Sequence, residues 1–223
     1  MSVRGICDLE GFCAASVTDG EAGTGCTAIA CPAGATGGVD VRGGAPATRE
    51  TDLLRPEETV QRLHCVVLSG GSAYGLAASC GAAEELERQG VGLDVGVGVV
   101  PIVSSACLFD LGCGRADVRP TAEMGARAVA QALAGEGLAS GNVGAGTGCT
   151  VGKFCGPTRA MKAGLGQGAA EAGGLACAAV AAVNACGNVV DPATGRAVAG
   201  MPLSLRTSMS IFAHISSFSV SST

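Results

Sequence analysis

A glycine-rich stretch, residues 141–153, most constrains how this chain can fold. It reads GNVGAGTGCTVGK and places five glycines in thirteen residues. Fixing a glycine costs more backbone entropy than fixing any other residue, so this density is typical of sites where side chains would obstruct a close approach or where φ is positive. The stretch therefore predicts a loop that another group approaches closely. Lys153, at its end, is the first candidate functional side chain.

The composition extends this constraint to the whole chain. With 223 residues, 48% of them hydrophobic, the chain is long enough for one globular domain with a substantial core. Aromatic residues make up only 3%, Trp is absent, and there are 37 glycines. The core is therefore predicted to consist of small and β-branched side chains, with backbones packed close together.

Charge and hydropathy exclude two classes of partner. The net charge is −5 and the pI is about 5.0, without a basic run or an aromatic stacking platform, which argues against a nucleic-acid partner. The N-terminal sequence MSVRGICDLEG lacks the apolar segment of a signal peptide. The longest weakly polar run, residues 175–190, contains two Asn residues and is too short to span a bilayer. These patterns predict a soluble cytoplasmic protein with no membrane partner.

The twelve cysteines do not form a recognisable metal or disulfide framework. No C-x-x-C occurs, and only two His residues are available for a Cys/His zinc set. Without secretion the thiols are expected to stay reduced. We predict that they are small buried apolar residues, and that the protein has no metal and no cofactor.

Local patterns predict alternating strands and helices. Strands are predicted at residues 27–31, 39–41, 64–68 and 95–103, and helices at residues 56–63, from residue 72 to a C-terminal glycine at 90, and from an N-cap at Thr121 to about residue 133. Residues 175–190 stay ambiguous, because their alanines favour a helix and their valines a buried strand. The alternation predicts an α/β or α+β fold with layered sheets.

Two loops carry candidate chemistry. Residues 69–72 (SGGS) follow a predicted strand and precede a helix, where unpaired N–H groups point outward. The 141–153 loop is not a Walker A motif, because Thr147 stands where its first glycine is required and Phe154 where a hydroxyl is required. By chemistry alone, these residues indicate a glycine-rich site with a lysine and nearby hydroxyls.

Four longer motifs carry a family resemblance. In order along the chain they are GGVDVRGGAPATRETDLL, LSGGSAYGLAA, GNVGAGTGCTVGK and AAVNACGNVVDPATG. The chain resembles the DmpA-type L-aminopeptidase/D-amino-acid esterases, a family that also includes β-aminopeptidases and nylon-oligomer hydrolases. The resemblance covers about residues 5–201. It implies a four-layer α/β/β/α sandwich and a self-processing serine/threonine aminopeptidase, in which a precursor cuts itself before a Ser or Thr that becomes the nucleophile.

The resemblance also implies roles for individual residues. Asn184 matches the family's active-site Asn, an oxyanion donor, and Lys153 matches a Lys beside the nucleophile, where it would orient the nucleophile or lower a pKa. A buried structural Asn and an exposed loop Lys are the alternatives. Phe109 stands where relatives carry an active-site Tyr. With Phe109, the residues predicted to line the substrate site are Gly71, Ser72, Tyr74 and Gly146, and simple packing stays open for Tyr74.

The tail departs from the rest of the chain. Residues 202–223 contain no glycine and are rich in serine, which indicates a shifted reading frame or a disordered polar tail. The predicted hydrolase domain is residues 1–201, the large-subunit portion of a sandwich that is incomplete at its C-terminus. This domain is expected to lack strands and therefore to expose apolar surface.

The same departure shapes the functional prediction. The family's cleavage site and nucleophile are not recognisable in the tail, so the chain is predicted to hydrolyse N-terminal peptide, amide or ester bonds only with a small-subunit equivalent, and to be inactive alone. A complete protein is expected to be a homo-oligomer. The alternative is a non-catalytic or degenerate subunit that binds small peptides or assembles with a full-length homologue.

Overall fold

The computed structural model describes residues 4–201 and 218–221, which combine one mixed sheet, two helices and several two-stranded ribbons. The prediction of an atypical tail falls largely outside these residues. The helices are α1 (Ala77–Arg88) and α2 (Ala122–Leu133). The strands, in chain order, are β1 (Cys13–Asp19), β2 (Thr24–Val39), β3 (Thr48–Arg49), β4 (Leu63–Ser69), β5 (Leu93–Asp94), β6 (Val99–Val100), β7 (Val103–Cys107), β8 (Thr150–Val151), β9 (Met161–Lys162), β10 (Leu165–Ala172), β11 (Leu175–Ala182), β12 (Val189–Val190), β13 (Ala197–Ala199) and β14 (Phe218–Ser221).

The main sheet has six strands in the order β1-β2-β4-β7-β3, with β14 pairing along the far end of β2. Strands β4 and β7 run parallel, and the other pairs are antiparallel. Because parallel strands end at the same edge of a sheet, the segments that follow β4 and β7 emerge side by side. These are the SGGS turn at residues 69–72 and the segment at residues 108–110.

Both helices pack on one face of this sheet, α2 over β1 and β2 and α1 over β4 and β7. The core between them contains only small and medium side chains, of which Leu86 is the largest fully buried one. The helices also approach each other closely. A Cβ on Gly81 of α1 would overlap the carbonyl of Ala122, and one on Gly125 of α2 would overlap that of Ala78. The predicted core of small side chains with close backbones is therefore confirmed.

The ribbon β10–β11 differs from the main sheet. Its eight residue pairs run from Leu165 opposite Ala182 to Ala172 opposite Leu175, and most of its side chains are exposed or half-buried. The structure thus resolves the ambiguity at residues 175–190 in favour of strand, with β11 and β12 in that range. In the part of the chain that is described, this ribbon pairs with no further strand.

Two predicted strands and the two longer predicted helices are confirmed. Strand β4 contains residues 64–68, and β2 contains residues 27–31. The Thr121 hydroxyl accepts a hydrogen bond from the Met124 N–H at 3.3 Å, the N-cap predicted from the sequence. Gly90 follows α1 with φ of 72°, the left-handed conformation typical of a residue just past a helix.

Three predicted elements are wrong. Residues 56–63 form turns and extended backbone instead of a helix, because Leu63 begins β4 and pairs with Ala35. Residues 95–103 do not form one strand. The Val95 N–H bonds to the Gly98 carbonyl at 3.0 Å in a tight turn between β5 and β6, and β7 begins only after Pro101.

The separate strand predicted at residues 39–41 does not exist either. Strand β2 runs on to Val39, because its last four residues pair with β14, and residues 40 and 41 lie beyond it.

The cysteine prediction is right only in part. All twelve thiols are free, but five of them are exposed: Cys7, Cys80, Cys155, Cys177 and Cys186. Within the described ranges, no group of three or more His, Cys, Asp or Glu side chains is arranged to hold a metal ion. In the same ranges, neither helix has the length and apolar character needed to cross a membrane.

Candidate active site

The glycine-rich loop packs against the open face of the main sheet, opposite the helices. Its turn at Gly144–Gly146 is held by strand hydroxyls: the Gly144 N–H donates to Thr18 Oγ1 at 2.8 Å. The φ of Gly144 is 52°, and a Cβ there would overlap the hydroxyls of Ser16 and Thr27. The predicted close approach to this loop is therefore made by the protein's own sheet at this position.

Gly146 has a similar environment. It is buried, and a Cβ on it would overlap the backbone where Gly164 precedes Leu165. The loop is thus held between the main sheet on one side and the start of β10 on the other. The neighbours of Gly146 are backbone atoms, so the structure does not place it with the polar residues described next.

Lys153 and Asn184 contact each other directly. The Lys153 ammonium donates to Asn184 Oδ1 at 2.7 Å and to the Asn184 backbone carbonyl at 2.9 Å. Gly152, with φ of 72°, turns the chain just before the lysine. Burial lowers the pKa of Lys153, and the neighbouring thiols of Cys186 and Cys149 oppose that change only in part.

The hydrogen bonds of Asn184 fix the orientation of its carboxamide. Oδ1 accepts from the Lys153 ammonium and from the Thr150 N–H at 3.0 Å, both of which are donors only. Nδ2 donates to the Phe109 carbonyl at 2.7 Å, which is an acceptor only. One N–H of the amide is therefore used by Phe109, and the other is available to a further acceptor.

Phe109 joins this pair to the turn after β4. The Ser72 N–H donates to the Leu108 carbonyl at 2.9 Å, and the Gly71 N–H donates to Asp110 Oδ1 at 2.6 Å. Gly71 and Ser72 both have positive φ, 80° and 56°. Phe109 is 63% exposed, so this residue contributes its backbone carbonyl to the site and leaves its side chain at the surface.

Of the seven residues predicted for the site, the structure joins five through direct hydrogen bonds or adjacent backbone: Gly71, Ser72, Phe109, Lys153 and Asn184. Tyr74 lies two residues after Ser72, in the turn at Ser72–Leu76. Tyr74 is 62% exposed, and the Arg119 guanidinium lies over its ring, 4.1 Å from the centroid. Tyr74 therefore lies beside the set, whereas Gly146 is separate from it.

Two charged residues near the site escaped the sequence analysis. The carboxylate of Asp110 is buried, and the Lys162 ammonium donates to the Thr147 carbonyl of the glycine-rich loop and lies 3.7 Å from Cys113 Sγ. A signal for Asp110 was present in the sequence. It is a lone acidic residue in the apolar segment after a strand, at the sheet edge where parallel strands place their functional loops. Lys162 had no comparable signal.

The arrangement provides two chemical capabilities. The remaining N–H of Asn184 is a neutral donor on a rigidly held amide, suited to an oxygen that becomes negative during a reaction. Lys153, with its lowered pKa, is an ammonium that loses its proton more readily than an exposed lysine. Both capabilities fit attack on a carbonyl group.

Comparison with known proteins identifies the family of the chain. Residues 4–211 match the family described as Peptidase family S58. An uncharacterized aminopeptidase of Mycobacterium tuberculosis is 47% identical over 172 residues, which is 77% of this chain and 47% of the relative. A 6-aminohexanoate-oligomer endohydrolase of Kocuria sp. is 32% identical over 194 residues, 84% of this chain and 50% of the relative. The chain thus spans about half the length of the curated relatives it matches.

A solved structure shows the fold. The L-aminopeptidase D-Ala-esterase/amidase of Ochrobactrum anthropi, described as a variant of the Ntn hydrolase fold, superposes with a TM-score of 0.54 at 19% identity, over 82% of this chain and 55% of that one. The predicted fold class is confirmed. Since the family match extends over nearly all of the described residues, this chain belongs to peptidase family S58, as the motifs in its sequence predicted.

Proposed function

We propose that this chain forms the larger-subunit portion of an amide and ester hydrolase of the aminopeptidase type. The observation that carries the proposal is the carboxamide of Asn184, held between the Lys153 ammonium and the Phe109 carbonyl with one N–H left for a substrate. Membership of peptidase family S58 supports the reaction class. The substrates in this proposal are peptides, amides or esters from which an N-terminal amino acid is released.

In the proposed reaction, Asn184 stabilises negative charge. A nucleophilic hydroxyl attacks the substrate carbonyl, and the carbonyl oxygen becomes an oxyanion that accepts the free N–H of Asn184 Nδ2. Removing one such donor from a hydrolase typically lowers kcat about 10²–10³-fold. The amide suits this role because its other three hydrogen-bonding contacts are already made within the protein, so it does not reorganise during the reaction.

Lys153 is proposed to act on the nucleophile. Two of its three N–H bonds go to Asn184, which leaves one to reach the attacking hydroxyl. As an ammonium, Lys153 can orient that hydroxyl by donating to its oxygen. Because burial lowers its pKa, Lys153 loses its third proton more readily than an exposed lysine, and the neutral amine can then accept the proton of the hydroxyl. The C–N or C–O bond of the substrate then breaks, and the amine or alcohol leaves with the proton that the base took from the hydroxyl. Water hydrolyses the acyl-enzyme and restores the hydroxyl.

The nucleophile in this proposal is the N-terminal Ser or Thr of a small subunit produced by self-processing. Its hydroxyl would lie beside Lys153, and its freed α-amine is a second candidate base. Gly71 and Ser72, which bond to the residues on either side of Phe109, and the exposed side chain of Phe109 are proposed to line the substrate site. Tyr74, further along the same turn, is proposed as part of its wall.

A second candidate function is that of a non-catalytic subunit, which binds small peptides or assembles with a full-length homologue. The observation that favours it is that the free N–H groups of Lys153 and Asn184 can donate to a peptide carbonyl whether or not a nucleophile is present. In that case the Lys153–Asn184 pair would bind a peptide carbonyl without cleaving it.

Release of p-nitroaniline from an aminoacyl-p-nitroanilide distinguishes the proposed hydrolase from the non-catalytic subunit. The purified 1–223 chain is expected to release none alone, and to release it when co-expressed with the nucleophile-bearing small subunit of a family member. The matched control is the same small subunit with its N-terminal nucleophile replaced by Ala. Turnover by 1–223 alone would contradict the proposed division of residues between subunits. A stable complex that binds peptide without any turnover would favour the second candidate.

A further inference from the structure

The carboxylate of Asp110 lies buried beside the proposed site, and the mechanism above does not use it. Asp110 is only 4% exposed. Its Oδ1 accepts from the Gly71 N–H at 2.6 Å, and its Oδ2 accepts from Thr24 Oγ1 at 2.7 Å. Each carboxylate oxygen therefore holds a different part of the main sheet: the beginning of β2, and the turn after β4.

The turn that Asp110 holds has an unusual backbone. Gly71 and Ser72 lie in succession at φ of 80° and 56°, and a left-handed conformation is rare for a residue with a side chain. Both of their N–H groups donate to the same short segment, Ser72 to the Leu108 carbonyl and Gly71 to the Asp110 carboxylate. A charged acceptor makes a stronger hydrogen bond than a neutral one, so Asp110 provides the stronger of the two attachments.

The carbonyl that orients Asn184 lies between these two attachments. Phe109 O accepts from Asn184 Nδ2 at 2.7 Å, and the residues on either side of it, Leu108 and Asp110, are both fixed to the turn after β4. The Phe109 carbonyl thus has little freedom to rotate. Its direction decides which N–H of the Asn184 amide is used within the protein and where the other one points.

We propose that Asp110 is a positioning residue for Asn184. Its carboxylate fixes the segment at residues 108–110 against the turn after β4, and so fixes the Phe109 carbonyl and the direction of the free N–H on Asn184. The role of that N–H as an oxyanion donor rests on the proposed function. The mechanical link from Asp110 to the Asn184 amide does not, and it is measurable in the chain by itself.

Asp191 provides a matched control for Asp110, because its carboxylate also accepts hydrogen bonds from one backbone N–H and one Thr hydroxyl. Its carboxylate binds the Ala193 N–H at 2.9 Å and the Thr194 hydroxyl at 2.7 Å, but in an exposed turn between β12 and β13. Replacing Asp191 by Ala therefore removes the same chemistry from a turn that does not hold the Phe109 carbonyl.

The test is the hydrogen-exchange rate of the Asn184 side-chain amide, measured by NMR on the ¹⁵N-labelled 1–223 chain. We expect Asp110→Ala to raise this rate at least about tenfold. Asp110→Asn, whose oxygen still accepts from Gly71, is expected to recover most of the protection, and Asp191→Ala to leave the wild-type rate. Backbone amides of α2, followed in the same spectra, report global unfolding. An Asn184 rate in Asp110→Ala within twofold of wild type would overturn the proposal.

Thr24→Val is a second variant, in case Asp110→Ala does not fold. It removes one donor from Asp110 with little change in shape, and is expected to raise the Asn184 exchange rate by about threefold, without faster exchange in α2. An unchanged rate would overturn the proposal independently.

In the complex with a small subunit, Asp110→Ala is expected to lower kcat with little change in KM. If no complex is active, the proposed function fails while the exchange result still decides the positioning role.

Discussion

The main sheet with its two helices and the ribbon β10–β11 are built from similar small residues, yet they are buried to very different degrees. In the first region, Leu86 and Val67 are fully buried between sheet and helices. In the second, Leu175 is 68% exposed, and nearly all residues of both strands are exposed or half-buried. The first region encloses a core by itself, whereas the second offers a surface.

The candidate site lies where segments from outside the main sheet meet its edge. Asp110 and the Phe109 carbonyl belong to the edge of the main sheet, whereas Lys153 and Asn184 lie in the chain that flanks the ribbon. One hydrogen bond, from Asn184 Nδ2 to the Phe109 carbonyl, connects the two sets. The geometry of the site therefore depends on a rigid support from one region and on functional groups from the other. The following predictions test that difference.

The largest difference between the main sheet and the ribbon β10–β11 is expected in the reactivity of their thiols. Burial raises the pKa of Cys26 and of Cys65, both in the main sheet, to about 12, whereas Cys177 on β11 is exposed. At about pH 8 a thiol with that pKa is ionised in about one molecule in 10⁴. Iodoacetamide should therefore modify Cys177 at least about 10³-fold faster than Cys26 or Cys65, as measured by peptide mass spectrometry. Equal rates in denaturant provide the control, and native rates within tenfold of one another would contradict the assignment of the core.

Truncation of a leucine should lower the free energy of unfolding much more in the main-sheet region than in the ribbon. Leu86→Ala removes a fully buried side chain and is expected to cost about 2–5 kcal/mol. Leu175→Ala removes an exposed one and is expected to cost less than about 0.5 kcal/mol. Urea denaturation followed by circular dichroism measures both. Similar losses for the two variants would mean that the ribbon is also part of a packed core.

Replacing a glycine by alanine should also cost more stability at the main sheet than in the ribbon, but the difference should be smaller than for the leucines. Gly144→Ala places a Cβ against the hydroxyls of Ser16 and Thr27 at positive φ, and should destabilise the chain by about 1–3 kcal/mol. Gly166→Ala, on β10, meets open space and should change stability by less than about 0.5 kcal/mol. Thermal denaturation of both variants measures this. A neutral Gly144→Ala would show that the loop does not pack against the sheet as described.

The pH dependence of stability should show the smallest effect, and it concerns Lys153. Because burial lowers its pKa below 10.5, the unfolded chain binds more protons at this group than the folded chain between the lowered pKa and 10.5. Stability contributed by this group therefore rises with pH across that window. The difference in unfolding free energy between wild type and Lys153→Met should shift in favour of wild type as the pH rises. A constant or falling difference would contradict the burial of the ammonium.

Much of the fold could be predicted because its signals are local. The apolar run in β4 and the N-cap at Thr121 each lie within one element, and both predictions are confirmed. The errors occur where distant pairing decides the structure. Pairing between Leu63 and Ala35 keeps residues 56–63 from forming a helix, and the turn at residues 95–98 breaks a run that reads as one strand.

The candidate site follows the same rule. Lys153 and Asn184 are 31 residues apart, and only the family resemblance placed them together before the structure did. The family motifs did not include Asp110. Its partners Thr24 and Gly71 are 86 and 39 residues away, and no spacing in the sequence predicts these contacts. The sequence shows an acidic residue after an apolar segment, but its burial between Thr24 and Gly71 follows only from the placement of the parallel strands β4 and β7 side by side.

The role of Asn184 as oxyanion donor is tested by the kcat of Asn184→Ala in the complex with a nucleophile-bearing small subunit. The control is Asn142→Ala, which removes an exposed amide whose Nδ2 donates to the Ala163 carbonyl at 2.6 Å, away from Lys153. If Asn184 is the oxyanion donor, its replacement lowers kcat about 10²–10³-fold, and Asn142→Ala stays near wild type. A kcat for Asn184→Ala within about threefold of wild type would contradict the account.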